Sequence, residues 1–122
     1  MQVSIERHTD AKHLNAILNH PDVYPFVRGP LEGKLDLSPQ VDSGFVVPLL
    51  GEHGGQVYQM LQPGIWEAHS QFTPKGRGEW ALEATRKSLH WMFTHSDAIE
   101  ILTRCPTLPS KALAKGIFGT FE

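Results

Sequence analysis

Residues 64–94, GIWEAHSQFTPKGRGEWALEATRKSLHWMFT, decide how this chain is read. Ile65 to Phe72 is strand-like, Pro74 to Gly78 is a turn with two glycines and two cations, and a long helical segment begins at Glu79. Strand, glycine turn and helix in that order suit a phosphate. Glycines let the backbone approach an anion, and the first N–H groups of a helix, unpartnered within it, point at that anion along the favourable end of the dipole. Alternation along the strand puts Glu67, His69 and Gln71 on one face with Ile65, and Trp66, Ala68, Ser70 and Phe72 on the other. Three polar side chains on one face of a central strand need water, a partner or a ligand there, so this face is a candidate cleft wall. An edge strand with a solvated face is the other reading of the same pattern. The helix carries Trp80, Ala81, Leu82, Ala84, Leu89, Trp91, Met92 and Phe93 over more than half its circumference. It is expected to lie largely buried across a sheet, its aromatic and Met residues serving as core.

Outward from that stretch, Phe45 to Leu50 and Val57 to Gln62 are two strand-like runs separated by Glu52, His53, Gly54 and Gly55, which predicts an antiparallel hairpin. Pro48 lacks a ladder donor and belongs at an edge or a bulge. Pro63-Gly64 then turns the chain into the central strand, giving three consecutive antiparallel strands. Toward the N-terminus, Val3 and Ile5 alternate with polar neighbours as in a half-buried strand, and Thr9 or Asp10 caps a helix running to about Asn19, ahead of Pro21. Arg28 to Gly44 is rich in Gly and Pro and is expected to be an ordered loop with one short helix. Beyond the long helix, Ala98 to Thr103 reads as another strand, Ser110 caps a last helix over Lys111 to Lys115, and IFGTFE could begin one more strand.

At 122 residues and 40% hydrophobic content, the chain suits a single domain over residues 1–122. A formal net charge of −2 gives no general pull toward nucleic acid or an anionic membrane. One cysteine, Cys105, cannot form an internal disulfide, and no apolar run approaches the ~20 residues that span a bilayer. With no signal-like block in MQVSIERHTD, the expected setting is reducing and cytoplasmic. The seven histidines are scattered without a ligand pattern, so no metal is expected.

The element order and the residues TPKGRGEWAL resemble motif A of the GNAT superfamily, the GCN5-related N-acyltransferases. Gly76 and Gly78 match the motif's two small positions, while Thr73 stands where Gln or Arg is usual. The resemblance implies an α/β (α+β) GNAT-like fold, with a mixed, mostly antiparallel central sheet flanked by helices and abbreviated C-terminal strands. It implies acetyl-CoA or another acyl-CoA as cofactor, with the pyrophosphate on the N–H groups of Lys75 to Gly78 and the side chains of Lys75 and Arg77 nearby. The pantetheine arm would run between the diverging strands around His69 to Phe72 and Thr103 to Cys105, with Gln71, Phe72, Thr73 and Ser110 among the implied cofactor contacts. Glu67 or His69 would be the catalytic base toward an amine acceptor, small molecule or protein. The family's frequent Tyr near the last helix has no counterpart in KALAKGIFGTFE, which offers Phe118 and Phe121. The resemblance therefore also allows a catalytically inactive GNAT-like interaction or assembly protein, as occurs among phage-encoded relatives, possible as a homodimer.

Overall fold

A computed structural model of the chain describes residues 2–27 and 33–103. In order, its elements are β1 (Glu6–Arg7), α1 (Lys12–Leu18), α2 (Tyr24–Val27), α3 (Ser38–Ser43), β2 (Val46–Gly51), β3 (Gly54–Gln62), β4 (Ile65–Phe72), α4 (Glu79–His95) and β5 (Glu100–Thr103), with a single 3₁₀ turn at Pro74–Gly76 ahead of α4. The five strands form one sheet in the order β1-β2-β3-β4-β5. The first three pairings are antiparallel, and β4 with β5 is parallel. The fold is α+β, a mixed sheet flanked by helices. The Ser110 helix and the IFGTFE strand expected from sequence lie outside the described residues, as does Cys105.

The hairpin forms where the glycines demand it. β2 and β3 pair from Val46↔Gln59 to Gly51↔Gly54, leaving Glu52-His53 as the connection. A Cβ at Gly54 would lie 2.0 Å from the carbonyl oxygen of Gln71, and one at Gly55 would lie 2.1 Å from that of Leu49. Neither strand could come this close with a side chain there. Pro48 sits inside β2 opposite Val57, and its carbonyl accepts from the His8 N–H at 3.0 Å. Because a strand residue's N–H and C=O point to the same side, the donor that Pro48 lacks faces the two-residue edge strand β1 and not the long ladder with β3. β1 is shorter than the run from Val3 suggested: Val3 is buried beside Phe72, Ala81 and Ala84, and only Glu6 and Arg7 pair, with Leu50 and Leu49.

One face of the sheet carries α4. Val47, Leu49, Tyr58 and Trp66 pack against Met92 and Ala98. The sequence pattern predicts a helix buried over most of its girth, but the buried residues are the stripe Ala81, Ala84, Thr85, Ser88 and Met92, while Phe93 is 50% exposed. Small residues let the helix sit close, and the two hydroxyls are used. Gln56 Nε2 donates to Thr85 Oγ1 at 2.9 Å and to Ser70 Oγ at 2.7 Å, and the Tyr58 hydroxyl pairs with Ser88 Oγ at 2.7 Å. Burial drives the Tyr58 hydroxyl's pKa well above its ordinary value, against the opposing pull of Ser88.

The other face is covered by α1 and α3, whose Leu14, Ile17, Leu18 and Val41 pack on Val46, Leu50 and Val57. The N-cap of α1 is Ala11, with no side-chain capping bond, rather than the expected Thr9 or Asp10; Asp10, one residue earlier, accepts the Lys12 N–H at 2.9 Å. The segment before α3 is ordered by two asparagines one helical turn apart. Asn19 exchanges two hydrogen bonds with the Leu35 backbone, and Asn15 accepts from Leu37 N–H while donating to Asp36. Among the described residues no helix is long and apolar enough to cross a membrane.

Candidate functional site

β4 meets the sequence expectation for its two faces. Trp66 and Ala68 join the cluster under α4, while Glu67, alternating with them, projects to the opposite side. Two hydrogen bonds to one carboxylate anchor the start of the strand. Asp97 accepts from Gly64 N–H at 3.1 Å and from Trp66 Nε1 at 2.8 Å, which ties β4 to the segment entering β5.

Glu67 stands between Gln59 of β3 and Leu102 of β5, so its backbone is held on both sides. Its side chain is 10% exposed, and its Oε1 lies 3.0 Å from His69 Nε2. That nitrogen is buried and has no aligned hydrogen bond, so the carboxylate oxygen lies within reach of Nε2 but off the direction of its N–H. The last described β4–β5 pair is Ala68↔Thr103, where the described residues stop, and β4 continues to Phe72 alongside β3. A buried carboxylate and a partly exposed imidazole thus meet on one face of β4, groups able to take up and hand on a proton.

The turn that follows departs from the expected anion seat in detail. The Gly76 N–H donates to Thr73 O at 2.9 Å, and the Arg77 N–H to Pro74 O at 3.3 Å. Of the four amides expected to face a pyrophosphate, Lys75 to Gly78, these two are already used within the 3₁₀ turn. Gly76 is a packing residue: its Cα nestles on His53, whose own carbonyl also receives the Thr73 N–H at 3.0 Å. Gly78 differs, with φ 83° and ψ −135° and open space where a Cβ would be. The helical ladder opens with Leu82 N–H donating to Gly78 O, so Glu79, Trp80 and Ala81 have no acceptor for their N–H groups inside α4. Any anion seat is therefore displaced to the first turn of the helix, where the exposed Glu79 side chain competes for the same dipole.

The remaining expected residues divide. Gln71 shares the face of Glu67 and His69 and is half-buried. The Phe72 ring is buried, edge-on to Trp80, so only its backbone is available to a ligand. Lys75 is exposed, and Arg77 Nη2 donates to Asp22 O at 3.0 Å. Ser110 lies outside the described residues. Among the described residues no group of three or more His, Cys, Asp or Glu could hold a metal ion. Sequence reasoning did not foresee the Gln56–Ser70–Thr85 network or the Asp97 anchor. Thr85 and Ser88 inside an apolar stripe were the available signal. A separate cleft of about 500 Å³ at the β1 edge contains His8 stacked on His13, with His13 Nε2 2.8 Å from Gly51 O.

No family model, no curated protein and no solved structure matches this chain.

Proposed function

We propose that this chain is an acyl-CoA-dependent N-acyltransferase of the GNAT type, moving an acetyl or other acyl group from a CoA thioester to an amine. The observation that carries this reading is the meeting of Glu67 and His69 on one face of β4, the strand that leads through one turn into a glycine-led helix start, in a sheet whose β4–β5 pair is parallel. Gly78 and the first N–H groups of α4 suit the diphosphate, with Lys75 as a nearby cation. The pair supplies a proton acceptor for the attacking amine.

A second reading, a GNAT-like interaction or assembly protein without turnover, is favoured by the two turn amides already bonded within the protein and by Glu79 at the helix start. Thiol release from acetyl-CoA in the presence of a panel of primary amines separates the two. Amine-dependent release supports the transferase, whereas thioester binding with no release to any amine supports the inactive module.

A further inference from the structure

We propose that the cleft at the β1 edge binds a planar organic cation of the guanidinium class, at a site separate from Glu67 and His69 and independent of the transferase reading. The cleft, about 500 Å³, is lined from three elements: Glu6 and His8 from β1 and the residue after it, Gly51 and Glu52 from the end of β2, and His13 from α1. Alternation makes the selection on β1. Residues i and i+2 share a face, so Glu6 and His8 go to the cleft while Arg7 goes to the other side of the sheet, 5.9 Å over the Trp91 ring of α4. Among the described residues no Lys or Arg lines the cleft. Gly51 lets the segment before β1 close on the end of β2, since a Cβ there would lie 2.5 Å from the Ser4 carbonyl oxygen and 3.1 Å from Ile5 Cδ1.

The two imidazoles are set as a stacked pair. Their ring centroids are 5.2 Å apart with the planes 29° from parallel, and His13 Nε2 lies 2.8 Å from Gly51 O. A carbonyl only accepts, so this nitrogen carries a hydrogen and the ring is fixed. His8 Nε2 is 4.0 Å from Glu6 Oε1, which stands a flat ring and a carboxylate side by side, and Glu52 adds a second carboxylate to the lining. The weakness of exposed charge then selects the ligand. The Glu6 and Glu52 side chains are 83% and 85% exposed, so attraction to a bare charge is screened by water. A compact, strongly hydrated ammonium gains nothing further from this lining. A guanidinium is weakly hydrated, stacks on a ring face and offers paired N–H groups to a carboxylate, so it uses imidazole and carboxylate together. An anion meets two carboxylates, and among the described residues no three His, Cys, Asp or Glu are placed to hold a metal ion.

The test is an NMR titration of the full chain at neutral pH with ethylguanidinium, butylammonium and a capped arginine tripeptide. Ethylguanidinium is expected to shift the His8, His13 and Gly51 signals saturably, with butylammonium at least about fivefold weaker. The double variant Glu6→Gln, Glu52→Gln alters only exposed side chains and should weaken ethylguanidinium by about 3- to 10-fold. His8→Ala, which removes the stacking surface, should weaken it to a similar degree. The tripeptide identifies the source of the cation: tighter binding than ethylguanidinium upholds the site as one for an arginine side chain, and equal binding upholds it as one for a free guanidine. Butylammonium as tight as ethylguanidinium overturns the planar-cation assignment. Absence of saturable shifts at the cleft in the wild type overturns the site itself, whatever the chain does with acetyl-CoA.

Discussion

A methyl group at Gly76 would sit 2.6 Å from His53 Cβ and 2.8 Å from the His53 carbonyl oxygen, and at Gly78 it would meet nothing within 4 Å. The two glycines of the motif thus answer to different constraints. Gly76 lets the turn lie on the β2–β3 connection, and Gly78 supplies a backbone conformation that other residues avoid. Gly76→Ala is expected to cost about 1–3 kcal/mol, because the clash is with backbone that must shift. Urea denaturation checks it, and an unchanged midpoint would show that the turn is not seated on His53 as described. Asp36 gives a pH effect. Its carboxylate is held below the usual range by the Ser38 hydroxyl, then the Ser38 N–H, then Asn15. A carboxylate whose pKa is lowered on folding contributes stability above its unfolded pKa and loses it as pH falls through the folded value, so the contribution fades below about pH 4. Asp36→Asn should therefore lose less stability than the wild type between pH 7 and pH 3, read from denaturation midpoints at both.

At the scale of elements, the β2–β3 hairpin, the face assignment on β4 and the strand after the long helix were legible because each rests on local chemistry, alternation and turn glycines, whereas the cap of α1 fell on Ala11 and not on Thr9 or Asp10. What escaped was set by tertiary partners. The apolar residues of α4 cover more than one face, so composition alone could not say that the small stripe through Ala84 and Ser88 would be the one to approach the sheet. Gln56 and Tyr58 on β3 make that choice by offering partners to Thr85 and Ser88. The site was legible as three polar residues on one strand face, but the contact between Glu67 and His69 depends on side-chain conformations that alternation does not fix. The burial pattern of α4 sets an asymmetry between neighbours. Met92→Ala should destabilise the protein by about 2–5 kcal/mol, since Met92 is fully buried among Val47, Leu49 and Trp66. Phe93→Ala, half-exposed, should stay within about 1 kcal/mol. Thermal or urea unfolding of the pair checks the orientation of the helix, and a reversed order would mean that α4 is rotated from the position described.

At the scale of the molecule, a sheet that is antiparallel through β4 and parallel between β4 and β5 carries Glu67 and His69 together on one face of β4, the strand that leads through one turn into α4. That face is the candidate site for the thioester of the proposed reaction. Calorimetric titration of acetyl-CoA into the wild-type chain tests the proposal most directly. Saturable binding of one equivalent, competed by free CoA, is the expected result, and the absence of any saturable heat would contradict it.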